Sequence, residues 1–160
     1  MSDQTMEANL ITQIGKPINI LLAEDNEADV KITLRAFDKA RLKNNIFVVR
    51  DGEEALDFIY HRGKYSDATR YPKLDLVLLD IKMPKVDGLE VLKKLKSDPV
   101  FKMLPVVMLT SSKNEQDIVT SYMDGASSYI PKPVSFQEFI EVVNGFNFYW
   151  QIISKLPDGF

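Results

Sequence analysis

Five side chains able to hold or move a charged group follow closely on runs of apolar residues. Glu24 and Asp25 end the run Ile18-Asn19-Ile20-Leu21-Leu22-Ala23. Asp80 ends Leu76-Val77-Leu78-Leu79, and Thr110 ends Val106-Val107-Met108-Leu109. Lys132 comes just after Ser128-Tyr129-Ile130. Taken singly, each has a plain reading. Glu24 and Asp25 suit a helix cap, Asp80 a surface turn, Thr110 an N-cap and Lys132 a solvated ammonium. Taken together they are three carboxylates, a hydroxyl and an ammonium. Three carboxylates brought close repel one another, and some stay protonated unless a cation joins them. Oxygen donors with no His or Cys nearby favour Mg²⁺ over zinc or copper. Such an ion, with Lys132 and Thr110, would stabilise charge on a transferring phosphoryl group, and Asp80 would be the nucleophile that receives it.

That chemistry requires a fold that gathers the ends of these runs. Leu76 to Leu79 is continuous rather than alternating, as in a strand buried on both faces. Ile18–Ala23, Ile46–Val49, Val106–Leu109 and Ser128–Ile130 read as four more strands. Helical spacing predicts helices from Asn26 or Glu27 to about Ala40, from Glu53 to His61, from Leu89 to Ser97, from Asn114 to Met123 before Gly125, and from Ser135 to about Ile153. Asn26 is the expected N-cap of the first. Strand–helix alternation of this kind predicts an α/β domain, a parallel sheet with helices on both faces. All strand ends then share one edge, which is where such sheets bind ligands. Arg62 to Leu74 reads as a polar connector, longer than the roughly 2–6 residues usual there. Residues 1–17 read as an extension and 154–160 as a tail.

Bulk composition removes several classes. The chain's 160 residues suit one domain, and a net charge of −3 offers no general attraction to nucleic acid or anionic membrane. There is no cysteine, hence no disulfide or thiol chemistry. No segment approaches the roughly 18 apolar residues of a membrane span, and no signal peptide is visible, so a cytoplasmic location is expected. The single histidine, His61, is expected to be exposed at a helix end.

The combination of Leu21-Leu22-Ala23-Glu24-Asp25-Asn26, Leu79-Asp80-Ile81-Lys82-Met83-Pro84 with Asp87-Gly88, Leu109-Thr110-Ser111 and Tyr129-Ile130-Pro131-Lys132-Pro133 resembles the receiver domain of two-component response regulators. The resemblance covers about Ile18 to Val143, and the receiver domain is drawn at 18–153. It implies a doubly wound, flavodoxin-like five-stranded sheet of order 2-1-3-4-5. It implies that Asp80 is the phosphoacceptor for a sensor histidine kinase or a phosphotransfer protein. Mg²⁺ would be held by Asp25, Asp80 and the backbone carbonyl of Lys82, with Glu24 acting mainly through water. Thr110, Ser111 and Lys132 would bind the phosphoryl group, and Lys132-Pro133 would be cis. Thr110 and Tyr129 would be the switch pair, carrying the signal to the face of the fourth helix, fifth strand and fifth helix. Lys82 and Ser112 occupy positions that tune dephosphorylation. The long connector and the aromatic end Phe146, Phe148, Tyr149, Trp150 are similar to stand-alone regulators that pair with phytochrome-type histidine kinases.

The last helix carries one apolar stripe, Phe136, Phe139, Ile140, Val143, Phe146 and Trp150, expected to face the sheet. Val142, Tyr149 and Ile152 form a second line that wants a second contact, expected to be a homodimer through this face, with a fold-back of the helix over its own domain as the alternative. Other functions fit less well. Phosphatases of the haloacid dehalogenase type resemble the motif Asp-X-Asp, but the second Asp, a general acid, is Lys82 here. No G-x-G-x-x-G or P-loop pattern exists to cradle a nucleotide or flavin. No helix-turn-helix follows the receiver, so the expected output is protein–protein contact rather than DNA binding.

Overall fold

The computed structural model describes residues 18–39, 44–122 and 128–144. Five strands form one parallel sheet of order β2-β1-β3-β4-β5: β1 (Ile18–Ala23), β2 (Asn44–Val49), β3 (Leu76–Asp80), β4 (Val106–Thr110) and β5 (Ser128–Pro131). Between and after them lie α1 (Glu27–Lys39), α2 (Gly52–Ile59), α3 (Gly88–Ser97), α4 (Lys113–Tyr122) and α5 (Phe136–Asn144). The expected fold class and strand order are those observed. β2 begins two residues earlier than its apolar run, because Asn44 and Asn45 pair in register with Ile18 and Asn19.

The sheet separates two cores by residue parity, as the strand pleat requires. Leu21, Ala23, Val77, Leu79, Val106 and Met108 face α2, α3 and Val119 of α4. Ile18, Ile20, Leu22, Leu76, Leu78, Val107, Leu109 and Ile130 face Val30 and Phe37 of α1 and Phe139 of α5. β3 is central and buried along its whole length, so the direction of Asp80 is tied to a strand that cannot slip register without exposing its core residues.

Each helix starts at the same sheet edge, from a polar residue that accepts a backbone N–H three positions on. The caps are Asn26 to Asp29 N (3.0 Å), Asp51 to Glu54 N (2.8 Å), Asp87 to Glu90 N (2.9 Å), Ser112 to Glu115 N (3.1 Å) and Ser135 to Glu138 N (3.2 Å). They satisfy donors that a helix leaves open and fix where each chain leaves the edge. Two glycines lock the neighbouring loops by close approach. A Cβ on Gly88 would overlap the carbonyl oxygen of Asp80, and one on Gly52 would overlap the carbonyl oxygen of Val86. Gly88 also donates its N–H to Ile81 O at 2.7 Å.

The connector differs from the expected polar loop. It forms a 3₁₀ turn at Gly63–Tyr65, and Tyr65 is buried. Its ring packs 4.9 Å from Phe58 and 4.9 Å from Tyr71, while its hydroxyl donates to Glu54 Oε1 at 2.8 Å. Polar composition concealed two aromatic anchors. Tyr65→Ala is expected to cost about 3 kcal/mol in urea unfolding, the size of a large core truncation; a loss under about 1 kcal/mol would show the connector to be loosely held. His61 is half-buried rather than exposed, with Nε2 2.8 Å from Tyr71 O. Val142 also departs from expectation, packing against the core formed by Ile130, Val134 and Phe139 instead of lying on an outer line. Tyr149, Ile152, Phe146 and Trp150 lie outside the described residues, as do Gly125, the extension 1–17 and the tail.

Candidate functional site

Lys132 stands at the centre of the site. Its Nζ is 2.9 Å from Glu24 Oε2, 2.9 Å from Asp80 Oδ1 and 3.2 Å from Asp29 Oδ2. β5 brings it there: Thr110 pairs with Pro131, and Lys132 N donates to Thr110 O at 2.8 Å. The Lys132–Pro133 peptide is cis. Burial alone would lower the Lys132 ammonium, but hydrogen bonds and charge from Glu24 and Asp80 more than offset that and hold its pKa well above the usual lysine range.

Glu24 is fully buried, Asp80 nearly so, and Asp25 exposed. One carboxylate oxygen from each lies within 4.8 Å of the others. The site is therefore open on the Asp25 side and closed by protein beneath. Glu24 also does what its plain reading suggested, since its Oε1 accepts Asn26 N at 3.1 Å. One oxygen caps the start of α1 and the other faces Lys132. Asp80 Oδ1 accepts its neighbour's amide, Ile81 N, at 3.0 Å. Desolvation by burial pushes the Asp80 carboxyl up to about 7; Lys132 pulls it down and the Glu24 charge raises it further. A three-carboxylate oxygen set with one solvent-facing member fits a hard divalent cation that keeps several waters.

Thr110 ends β4 beside Asp80, in the register Asp80 with Leu109. Its hydroxyl is buried and has no hydrogen-bond partner among the described residues. A buried hydroxyl costs about 1–3 kcal/mol when unpaired, so Thr110 offers a donor that a ligand oxygen can satisfy. Ser111 and Ser112 are exposed. Ser111 N donates to Glu115 Oε1 at 2.7 Å, and Ser112 caps α4 as described. Tyr129 is half-buried against the α2–α4 core and lines a shallow cavity of about 360 Å³ with Ile130, Pro131 and Val142. Lys82 is exposed in the bend two residues after Asp80.

Reading the chain by strand ends overlooked two acidic residues. Asp29, in the first turn of α1, reaches Lys132 across 103 positions of sequence. Glu115 is buried and ties α4 to Ser111. Ser112-X-X-Glu115 has the spacing of a capping box, which was a readable signal. Asn26-X-X-Asp29 has it too, but there the amide of Asn26 is taken by Glu24.

A family model described as response regulator receiver domain matches residues 20–144. Response regulator Rcp1 of Synechocystis sp. is 34% identical over 141 residues, spanning 88% of this chain and 94% of Rcp1; a solved structure of Rcp1 holds Mn²⁺. The structure of the bacteriophytochrome response regulator AtBRR is 44% identical, covers 84% of this chain and 96% of its own, and superposes with a TM-score of 0.76. The phosphorylated cyanobacterial phytochrome response regulator RcpA is 36% identical, covers 89% of this chain and 100% of its own, and has a TM-score of 0.66.

Proposed function

This chain belongs to the response regulator receiver domain family, and from that premise we propose that Asp80 accepts a phosphoryl group from a histidine kinase and that the modified domain signals through protein–protein contact. The observation that carries the reading is the placement of Asp80 Oδ1 2.9 Å from Lys132 Nζ, beside Glu24 and Asp25. In the transfer, an Asp80 carboxylate oxygen forms a bond to phosphorus as the donor histidine's N–P bond breaks. The electron pair of that bond returns to the imidazole nitrogen.

The remaining residues serve that step. Lys132 pairs with the charge arriving on the phosphoryl oxygens, and the partnerless Thr110 hydroxyl donates to one of them. Ser111, just before the N-terminus of α4, would bind the phosphoryl group as well. Asp25, Asp80 and the Lys82 carbonyl, with Glu24 through water, would hold Mg²⁺, which supplies neutralisation of the gathered negative charge. Movement of Thr110 would be followed by Tyr129, whose half-buried ring has a cavity beside it. The surface that changes is then that of α4, β5 and α5. Likeness to AtBRR and RcpA supports a phytochrome-type kinase as the donor.

Incubation with Mg²⁺ and a small acyl phosphate tests the reading. Intact mass should rise by one phosphoryl group, in an adduct stable to acid and labile to base, and a chelator should prevent it. A wild-type chain that gains no such adduct would refute the proposal.

A further inference from the structure

The three carboxylates around Lys132 are not equivalent. An ammonium has three N–H donors, and here three carboxylates surround it. The contacts to Glu24 and Asp80 are 2.9 Å, with side chains 1% and 7% exposed; the contact to Asp29 is 3.2 Å, with a side chain 29% exposed. An acceptor arriving at Lys132 competes with these carboxylates for its N–H donors, one of which is given in a hydrogen bond to Asp29 Oδ2 at 3.2 Å. Asp80 would carry the arriving group, and Glu24 is buried and also bound to Asn26 N. Asp29 is the partner that water can most readily take over.

Nothing in α1 itself requires the Asp29 carboxylate to stay. Asn26 Oδ1 already accepts Asp29 N, and Glu24 Oε1 holds Asn26 N, the amide that a residue three positions into a helix normally reaches back to cover. The helix is docked further along by Val30, Thr33 and Phe37, all buried. Beyond the Asn26 amide held by Glu24, the first turn is thus joined to the site through one longer, partly exposed ion pair.

We propose that Asp29 is the partner Lys132 gives up when Asp80 is phosphorylated, so that modification releases the first turn of α1 from the site. Asp29 is a positioning residue in this scheme, acting through Lys132. It rests on the reading of Asp80 as phosphoacceptor and adds a second outlet for the signal, at the opposite sheet face from α4. In the unmodified chain Asp29 competes with the incoming oxygen; in the modified chain it has no partner to lose.

Beryllofluoride with Mg²⁺, a phosphoryl mimic, provides the test. Asp29→Asn should bind it roughly three- to tenfold more tightly than wild type, the size of one partly exposed charge pair. Glu27→Gln is the control, since it removes a charge from the same turn but from a residue paired with Arg50 at 2.7 Å; its affinity should stay near wild type. Hydrogen exchange should show the Asp29 and Val30 amides losing protection when wild type binds the mimic, and no further loss in Asp29→Asn. Equal affinities for wild type and Asp29→Asn, or an equal gain in Glu27→Gln, would overturn the proposal while leaving the phosphoacceptor reading intact. Failure of wild type itself to bind the mimic would overturn both.

Discussion

Asp80→Asn is expected to take up no phosphoryl group under conditions that modify the wild-type chain as proposed. The expected loss is on the order of a thousandfold or more, as for removal of a nucleophile. The geometry makes Asp80 hard to replace. Asp25 is exposed, and the two oxygens of Glu24 face Asn26 N and Lys132. Of the three clustered carboxylates, only Asp80 is both buried at the strand end and beside the unpartnered Thr110 hydroxyl's strand. Asparagine keeps the shape and an oxygen that can accept from Ile81 N and Lys132, so the fold should persist and the loss should be chemical. Peptide mapping of the adduct, with circular dichroism as the folding control, decides the matter. An Asp80→Asn chain modified to the wild-type extent would remove Asp80 from the mechanism.

A second large effect concerns the metal-free protein. The folded-state pKa of Asp80 is raised by burial from 3.8 to about 7. Between those values the folded chain keeps a proton that the unfolded chain has lost. Folding therefore takes up a proton, and stability falls as pH rises through that window. The full shift corresponds to roughly 4 kcal/mol, and solvent at the Asp25 side reduces it to on the order of 2–3 kcal/mol. Lys132 contributes no slope there, because its raised pKa places its titration far above neutrality. In chelator, urea midpoints should drop between about pH 4 and pH 7 more steeply for wild type than for Asp80→Asn, and Mg²⁺ should restore wild-type stability near neutrality. Parallel slopes for the two chains would show that Asp80 carries no such penalty.

Much of this arrangement was legible beforehand, for identifiable reasons. β3 and β4 are buried on both faces, so their residues had to be continuously apolar, and Asp80 and Thr110 stood out as breaks at their ends. Lys132 was legible only as the fifth member of a set. Asp29 was not, because an acidic residue in a first helical turn is explained by the helix dipole and nothing local announces a partner on β5. Glu115 was readable from its capping-box spacing to Ser112, but a reading confined to strand ends passed over it. Tyr65 and Tyr71 were obscured by charged and small neighbours, since a 3₁₀ turn has no long periodic stripe to reveal its inward side. Val142 was misplaced because α5 packs a broader face than a single stripe; its partial burial takes one member from the apolar line on which the expected homodimer was based.

The two glycine abutments have a practical consequence for engineering. Gly88 presses on the Asp80 carbonyl and Gly52 on that of Val86, so the loop from Ile81 to Val86 is pinned at both ends while Lys82, Pro84 and Lys85 face solvent. Under the proposed function, substitution of exposed Lys82 would adjust how long a mark persists, whereas Lys85, at φ 67 and paired with Asp51 and Glu53, is less free to vary, and a methyl group on either glycine would push against backbone that positions the acceptor. Variants at Lys82 would then change timing while the backbone that holds Asp80 stays in place.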